Sequence, residues 1–315
     1  MKKGAKIILA VVLVVLLVLL LLYLFNSCST SKKAAVKAEA PKAEARSMGP
    51  EGQVPWLELP AMGETDATCH VVTHRAEMGG RSQRNYTYLY DEDLYAAYWV
   101  AYPLCADHMS SGREEDWSYD PSIDVAVQTS VRSGYGASEP TENYPKNFYA
   151  RGHQLPNADR SGVPEMMAQT YYSTNMTPQL QNGFNGAIWA KLEEGVRGKV
   201  PAGDTLYVVT GAAFEKRGEQ PDGYKTITNK NDKKQLPVPE YYWKALLKVT
   251  RDGDSIVSAS AVGFWLPHAD LKGHDYADYV VPVDRIEEWT GFDMFPGLPD
   301  DLEAQAESRS SWASF

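Results

Sequence analysis

Short runs of apolar and aromatic residues, separated by turn-forming residues, are the feature that most limits the fold of this 315-residue chain. The unbroken run YAAYWVAYPL, at residues 95–104, predicts a buried central strand. Two further runs, at residues 241–249 and 255–266, flank the turn sequence RDGDS. Other strands are predicted at residues 69–74 and 85–90, paired across a turn at Gly79 and Gly80, and at residues 205–211.

Two segments have helical patterns. In residues 184–198, apolar side chains recur at every fourth position, and a second row at the same spacing contains polar groups. The apolar row can face a core, which places the second row along one edge of the helix. A shorter helix is predicted from Asp284, with Glu287 three residues later in a cap-like pattern. The apolar row is Phe184, Ile188, Leu192 and Val196, and the second row is Asn185, Trp189, Glu193 and Arg197.

The N-terminus has the pattern of a targeting segment. Lys2, Lys3 and Lys6 precede an unbroken apolar run at residues 7–25, which has the length of a bilayer span and is long for a cleaved signal core. We therefore expect residues 1–28 to be a membrane anchor, with the alternative of a lipoprotein signal lipidated at Cys28. Residues 29–53, rich in Ala, Lys, Glu and Pro, are predicted to be a tether. Both alternatives place the following domain outside the cytoplasm, in the periplasm or at the surface of a bacterium.

Charge is divided unevenly along the chain. Residues 1–50 carry eight Lys/Arg and two Asp/Glu, a net charge of +6. Because the whole chain has a net charge of −10, the residues after 50 carry −16. An acidic domain does not track nucleic acid through a broad basic surface. Any phosphate contact must come from a few local arginines.

Cys69 and Cys105 are the two cysteines of the predicted domain. In an oxidising compartment they can form a disulfide, whereas the alternative is two separate buried thiols. The sequence leaves both open.

Polar residues suited to phosphodiester hydrolysis collect in the middle third of the chain. His153 is suited to act as a base for water, because an unperturbed imidazole is often neutral at pH 7. Asn185 offers an amide oxygen, a ligand type that Mg²⁺ accepts while keeping several waters. Glu193 can hold those waters, and Arg197 can donate to phosphate oxygens through two nitrogens.

Three motifs in consistent order resemble the DNA/RNA non-specific endonuclease family, the ββα-metal nucleases. They are ARGH at residues 150–153, NMTPQ at residues 175–179, and FNGAIWAKLEE, which is followed by Arg197. The likeness covers roughly residues 65–308. It implies an α+β fold, with a central antiparallel sheet flanked by helices and a ββα-metal catalytic motif.

The resemblance also implies an activity and its parts. The expected enzyme is a Mg²⁺-dependent endonuclease (Mn²⁺ being the alternative ion) that hydrolyses DNA and RNA to 5′-phosphate ends. Its domain is expected at residues 54–308, followed by a C-terminal tail at 309–315. Carried over by motif, the metal ligand is Asn185 and the catalytic residues are His153, Arg151, Glu193, Arg197 and Asn175.

The chain departs from the family pattern in two places. Ala150 stands where the motif has aspartate, which is compatible either with a structural position that tolerates a small residue or with impaired catalysis. The family's additional phosphate-binding arginine lies in the irregular segment at residues 106–148. Arg113 is the nearest match and Arg132 is a competitor. Ala150, together with the acidic charge, motivates an alternative function: a non-catalytic envelope protein that binds nucleic acid or another ligand on a degenerate nuclease fold.

Overall fold

A seven-stranded antiparallel sheet forms the centre of the protein in the computed structural model, which describes residues 56–61, 63, 65–217 and 223–315. The strand order is β1-β2-β3-β7-β10-β11-β12, so the β1–β2 and β10–β11 hairpins lie toward opposite edges. Every predicted strand is present. The strands are β1 (Cys69–Met78), β2 (Arg81–Asp91), β3 (Ala96–Leu104), β7 (Leu206–Ala213), β10 (Tyr241–Asp252), β11 (Ser255–Pro267) and β12 (Val280–Val281).

Both faces of this sheet are covered, because alternate side chains of a strand point to opposite faces. On β10, Tyr242 and Leu246 belong to a core that also contains Phe184 and Trp189. The intervening Trp243 and Leu247 belong to a second core, which includes residues of the two C-terminal helices. The fold is therefore α+β with a central antiparallel sheet, as the resemblance implied.

Two smaller sheets and four short helices complete the described part of the chain. The first small sheet, β4-β5-β6, consists of β4 (Gly136–Ala137), β5 (Phe148–His153) and β6 (Met176–Leu180). The second pairs β8 (Thr226–Thr228) with β9 (Gln235–Pro237). The helices are α1 (Pro164–Gln169), α2 (Ala190–Arg197), α3 (Val283–Thr290) and α4 (Asp300–Glu307), and single 3₁₀ turns lie at Ala106–His108, Val125–Val127, Asn157–Asp159, Ser173–Asn175 and Tyr276–Tyr279.

The predicted helix over residues 184–198 is regular only in its second half. Its apolar row is buried as expected, but α2 begins at Ala190 and is preceded by an irregular, π-type wound segment at Gln181–Trp189. Gly183 lies in the left-handed region at φ 84°, and a Cβ there would be 2.5 Å from Asp270 Oδ1. Glycine is therefore required at position 183, both for the left-handed backbone conformation and for the close approach of Asp270. At this glycine the chain changes direction between β6 and α2.

Of the two alternatives for Cys69 and Cys105, the disulfide is wrong, because both are free thiols, which lie at opposite ends of the sheet. Cys69 is opposite Asp91, which in turn pairs with Ala96 at the start of β3. Cys105 follows the other end of that strand, whose nine residues span about 30 Å at roughly 3.3 Å per residue. A disulfide requires the two Cα atoms to lie within about 7 Å.

The end of the chain packs against the domain. Phe315 is buried, its ring stacks on Trp312, and its carbonyl oxygen accepts hydrogen bonds from Lys199 and Lys248. The predicted anchor and tether, including Cys28, lie outside the described residues. Within the described residues, no helix is both long and apolar enough to cross a bilayer.

Candidate active site

One cleft gathers most of the residues that the sequence singled out. It has a volume of about 610 Å³ and lies where β5, the wound segment Gln181–Trp189 and α2 meet the irregular segment that contains Arg113 and Trp117. Its lining includes Arg113, Ala150, Arg151, His153, Asn185, Glu193 and Arg197. The competitor Arg132 is not among the lining residues.

Strand β5 sets the direction of the two basic residues of the ARGH motif. Arg151 and His153 are two residues apart and therefore project from the same face of the strand. Gly152, between them, lies under the side chain of Gln179 on β6, and a Cβ there would come within 2.4 Å of that side chain. The motif thus needs glycine because β6 approaches closely behind the two basic residues.

His153 is held as a neutral, unpartnered base. Its ring packs between Trp117 and Tyr171, at centroid distances of 5.4 and 5.5 Å. Nε2 is buried and has no hydrogen-bond partner among the described residues. Burial first, and then the positive charges of Arg113 and Arg151, lower the pKa of His153 to about 3. The imidazole is therefore neutral at physiological pH, which is the protonation state that a general base requires.

Arg151 connects β5 to the irregular segment. Its guanidinium lies 3.5 Å from the ring centroid of Trp117 and donates a hydrogen bond of 3.1 Å to the carbonyl oxygen of Val131. Trp117 in turn packs against His153, so these contacts hold the aromatic wall of the cleft. The remaining donors of this half-buried guanidinium are available to an anion in the cleft.

Arg113 lies at the exposed side of the cleft. Its Nε is 3.1 Å from Glu115 Oε1, and both side chains are about half exposed. An exposed ion pair of this kind contributes only about 0–1 kcal/mol, so a phosphate can replace the carboxylate at little cost. The placement agrees with the predicted phosphate contact.

Asn185 lines the cleft. Its Nδ2 donates to Gln181 Oε1 at 3.1 Å, which fixes the orientation of the amide. Among the described residues, Oδ1 accepts no hydrogen bond. Glu193 lines the same cleft, and burial raises the pKa of its carboxyl. A neutral amide oxygen beside a carboxylate suits a cation that keeps most of its waters.

Arg197 is positioned by a carboxylate below the cleft. Its Nη1 donates to Asp159 Oδ1 at 3.1 Å, and Asp159 Oδ2 accepts from the Tyr102 hydroxyl at 2.9 Å. Asp159 is almost completely buried, whereas the Arg197 side chain is 24% exposed. The guanidinium is thus fixed at one end and free to bind phosphate oxygens at the other.

Asn175 lies behind the cleft rather than in it. Its side chain is buried, donates to the carbonyl oxygens of Leu155 and Thr170 and accepts from the Leu155 amide. These bonds hold the chain that leaves β5 just after His153. Asn175 can therefore affect the reaction only by positioning.

Sequence reasoning missed three residues that shape the site: Trp117, Asp159 and Lys244. Lys244 is 1% exposed; its Nζ donates to Thr210 Oγ1 at 3.0 Å and lies 4.5 Å from the ring centroid of Trp189. Its charge lowers the pKa of Glu193 against the effect of burial. The lone lysine in the apolar run YYWKALL was the available signal for Lys244, and the position of Asp159 shortly after the ARGH motif was the signal for that residue. Trp117 lies in an irregular segment with no periodic pattern.

Comparison with known proteins shows the family of the chain. The family model described as DNA/RNA non-specific endonuclease matches residues 71–301. A nuclease of Serratia marcescens is 31% identical over 216 residues, covering 68% of this chain and 73% of the relative. A nuclease of a Nostoc species is 27% identical over 235 residues, covering 72% of this chain and 77% of the relative.

A solved structure supports the fold independently. The crystal structure of the EndoG/EndoGI complex matches with a TM-score of 0.56 at 20% identity, covering 73% of this chain and 89% of that chain. The match to the family model spans well over half of the sequence and includes all three motifs. This chain therefore belongs to the DNA/RNA non-specific endonuclease family.

Proposed function

We propose that this protein is a membrane-tethered, extracytoplasmic endonuclease that uses Mg²⁺ to hydrolyse DNA and RNA to 5′-phosphate ends. Family membership supports phosphodiester hydrolysis as the reaction class. The observation that carries the proposal is that one cleft brings together three groups. They are the neutral His153, the Asn185 amide oxygen, which accepts no hydrogen bond from the described residues, and the Arg197 guanidinium, which is bonded to Asp159 through one nitrogen only.

His153 is the proposed general base. Its neutral imidazole can accept a proton from water that attacks phosphorus opposite the departing 3′ oxygen. The aromatic contacts with Trp117 and Tyr171 restrict the ring, so little reorientation is needed before proton transfer.

Asn185 is the proposed protein ligand of the cation, and Glu193 is proposed to accept hydrogen bonds from the waters around it. When bound, Mg²⁺ supplies charge stabilisation for the phosphate and the departing oxygen, and Mn²⁺ is an alternative ion. The hydrogen bond from Asn185 to Gln181 uses the amide nitrogen and leaves the amide oxygen available to the cation. Lys244, beneath the site, limits the rise in the pKa of Glu193 and so favours its ionised form.

Arg197, Arg151 and Arg113 are the proposed phosphate contacts. Phosphate contacts fix the position of a nucleic acid but carry no base information. We therefore expect cleavage with little base selectivity, in a protein whose remaining surface is acidic. Attachment outside the cytoplasm rests on the apolar run at residues 7–25 alone.

A second candidate is a non-catalytic binding protein on the same fold. It is motivated by Ala150 in place of the motif's aspartate and by the −16 charge after residue 50. This candidate predicts binding to DNA that persists in a His153→Ala variant, without cleavage by either protein.

The test uses the full-length chain in mild detergent, with plasmid DNA and RNA and with Mg²⁺ or EDTA. The nuclease proposal predicts that both substrates are cut only with the cation, that the products carry 5′ phosphates and that His153→Ala is at least about 10²-fold slower. His274→Ala is a matched control, because His274 is an exposed histidine that does not line the cleft. Intact substrate with every divalent cation would overturn the proposal.

A further inference from the structure

A second group of carboxyl side chains lies on the opposite face of the central sheet from the cleft. Helices α3 and α4 pack on β11 and contribute Val283, Ile286 and Ala306 to the second core. The residues of α2 and the wound segment belong to the first core, on the opposite face of the sheet. Whatever this group binds is therefore separate from the proposed catalytic cation.

Three carboxylates of these helices converge. Asp284 and Glu287 lie one turn apart on α3 and Glu307 lies on the last turn of α4, and one ligand atom from each falls within 4.8 Å of the others. Two oxygens that each lie about 2.4 Å from a Ca²⁺ ion can be at most about 4.8 Å apart. The three carboxyl groups therefore meet the geometric limit for Ca²⁺, and they lack the near-ideal octahedral set that Mg²⁺ demands.

Glu307 supplies an independent indication of a ligand. The residue is only 4% exposed, and its Oε1 is buried with no hydrogen-bond partner among the described residues. No described Lys, Arg or His forms an ion pair with Glu307, Glu287 or Asp284, since the nearby Arg285 pairs with Glu288. An unpartnered buried carboxyl oxygen costs free energy unless something satisfies it.

The remaining ligands of a calcium ion are available from water. Asp284 is exposed and Glu287 is half-buried, so the group is open to solvent on one side while Glu307 closes the other. Glu287 is also held in place, because its Oε1 accepts a hydrogen bond of 2.6 Å from the Met294 amide. Ca²⁺ accepts six to eight oxygen ligands in flexible geometry, and carboxylates of differing exposure with added waters meet that requirement.

We propose that Asp284, Glu287 and Glu307 form a structural site for a divalent cation of the calcium type. The ion would join the C-terminal helix α4 to α3 on the second face of the sheet. It would contribute to stability and not to the chemical step.

The test counts bound calcium by equilibrium dialysis of the full-length chain in detergent and follows the midpoint of thermal unfolding. Glu307→Gln and Asp284→Asn should each bind one Ca²⁺ fewer per chain than wild type. In wild type, Ca²⁺ at a hundredfold excess over its Kd should raise the midpoint by about 5 °C or more, and this rise should be largely lost in both variants. Mg²⁺ at the same concentration should raise it less.

Asp301→Asn is the matched control, because Asp301 is an exposed carboxylate on the same helix α4. It should bind calcium as wild type does. Glu307→Gln keeps the size of the buried side chain, and the exposed Asp284 gives a second variant that leaves the core intact. Equal calcium binding and equal thermal shifts in wild type and both site variants would overturn the proposal, as would an equal loss in Asp301→Asn.

Discussion

Replacing Gly152 with alanine tests how β5 and β6 support the site. The added Cβ would lie 2.4 Å from Cγ, Cδ and Oε1 of Gln179, a side chain that is fully buried and has little room to move. Overpacking of this kind costs about 1–3 kcal/mol. For a folded region of this size, about 2–4 °C per kcal/mol gives a fall in the unfolding midpoint of about 2–12 °C.

The same substitution should also slow the reaction, because Gly152 separates Arg151 from His153. A displacement of about 1 Å at a catalytic group can reduce the rate by about 10²-fold. Urea unfolding and single-turnover cleavage measure the two effects. Gly136→Ala on the adjacent strand β4 is the control, because the nearest atom to its added Cβ is 3.8 Å away, an ordinary contact.

Removing the obstacle should rescue the variant. In Gly152→Ala/Gln179→Ala the shortened side chain leaves space for the new methyl group, so the two substitutions should be coupled by about 0.5–3 kcal/mol in the favourable direction. Strictly additive free energies, or a Gly152→Ala variant as stable and active as wild type, would refute the packing account of the ARGH motif.

Three other expectations concern the cleft. Asn185→Ala should raise the Mg²⁺ concentration needed for half-maximal cleavage, because it removes the proposed protein ligand; an unchanged Mg²⁺ titration curve would argue against that role. The pKa of His153 is lowered to about 3, so its neutral form is lost only as the pH falls through that value. A pH–rate profile at saturating Mg²⁺ should thus show no loss of activity attributable to His153 between pH 8 and 5. A fall in rate below about pH 6.5, the unperturbed pKa of histidine, that is absent from the His153→Ala variant would contradict the burial argument. Ala150→Asp, which restores the family residue, should change the turnover rate by less than about tenfold, since the other groups of the site are already assembled, and a larger gain in steady-state cleavage would show that Ala150 impairs the enzyme.

The strands could be predicted because each combines an apolar run with a recognisable turn. Gly79 and Gly80 between β1 and β2, with φ of 60° and 74°, are such a signal. The start of α2 could not be predicted in the same way. An apolar row repeating every fourth residue continues through Phe184 and Ile188, although the backbone departs from helical angles at Gly183 and Gly186 and α2 begins only at Ala190. The close approach of Asp270 to Gly183 is a tertiary contact that no local pattern encodes.

The motifs identified the cleft residues on β5 and α2 but not what supports them. Trp117 lies in an irregular segment without periodicity, so its packing under Arg151 and against His153 depends on contacts that no local pattern encodes. Whether Cys69 and Cys105 pair could not be decided from the sequence for a related reason, because their separation depends on strand order. Asn175 is close to the other motif residues in sequence, yet its buried hydrogen bonds place it behind the cleft.

The role of His153 is tested most directly by chemical rescue. Single-turnover cleavage of a short duplex at saturating Mg²⁺ should be slower in His153→Ala by about 10²–10⁴-fold, as is typical for loss of a general base. Added imidazole should restore part of the rate in this variant but not in Asn185→Ala. A His153→Ala rate within about threefold of wild type, with no response to imidazole, would contradict the assignment of His153 as the base.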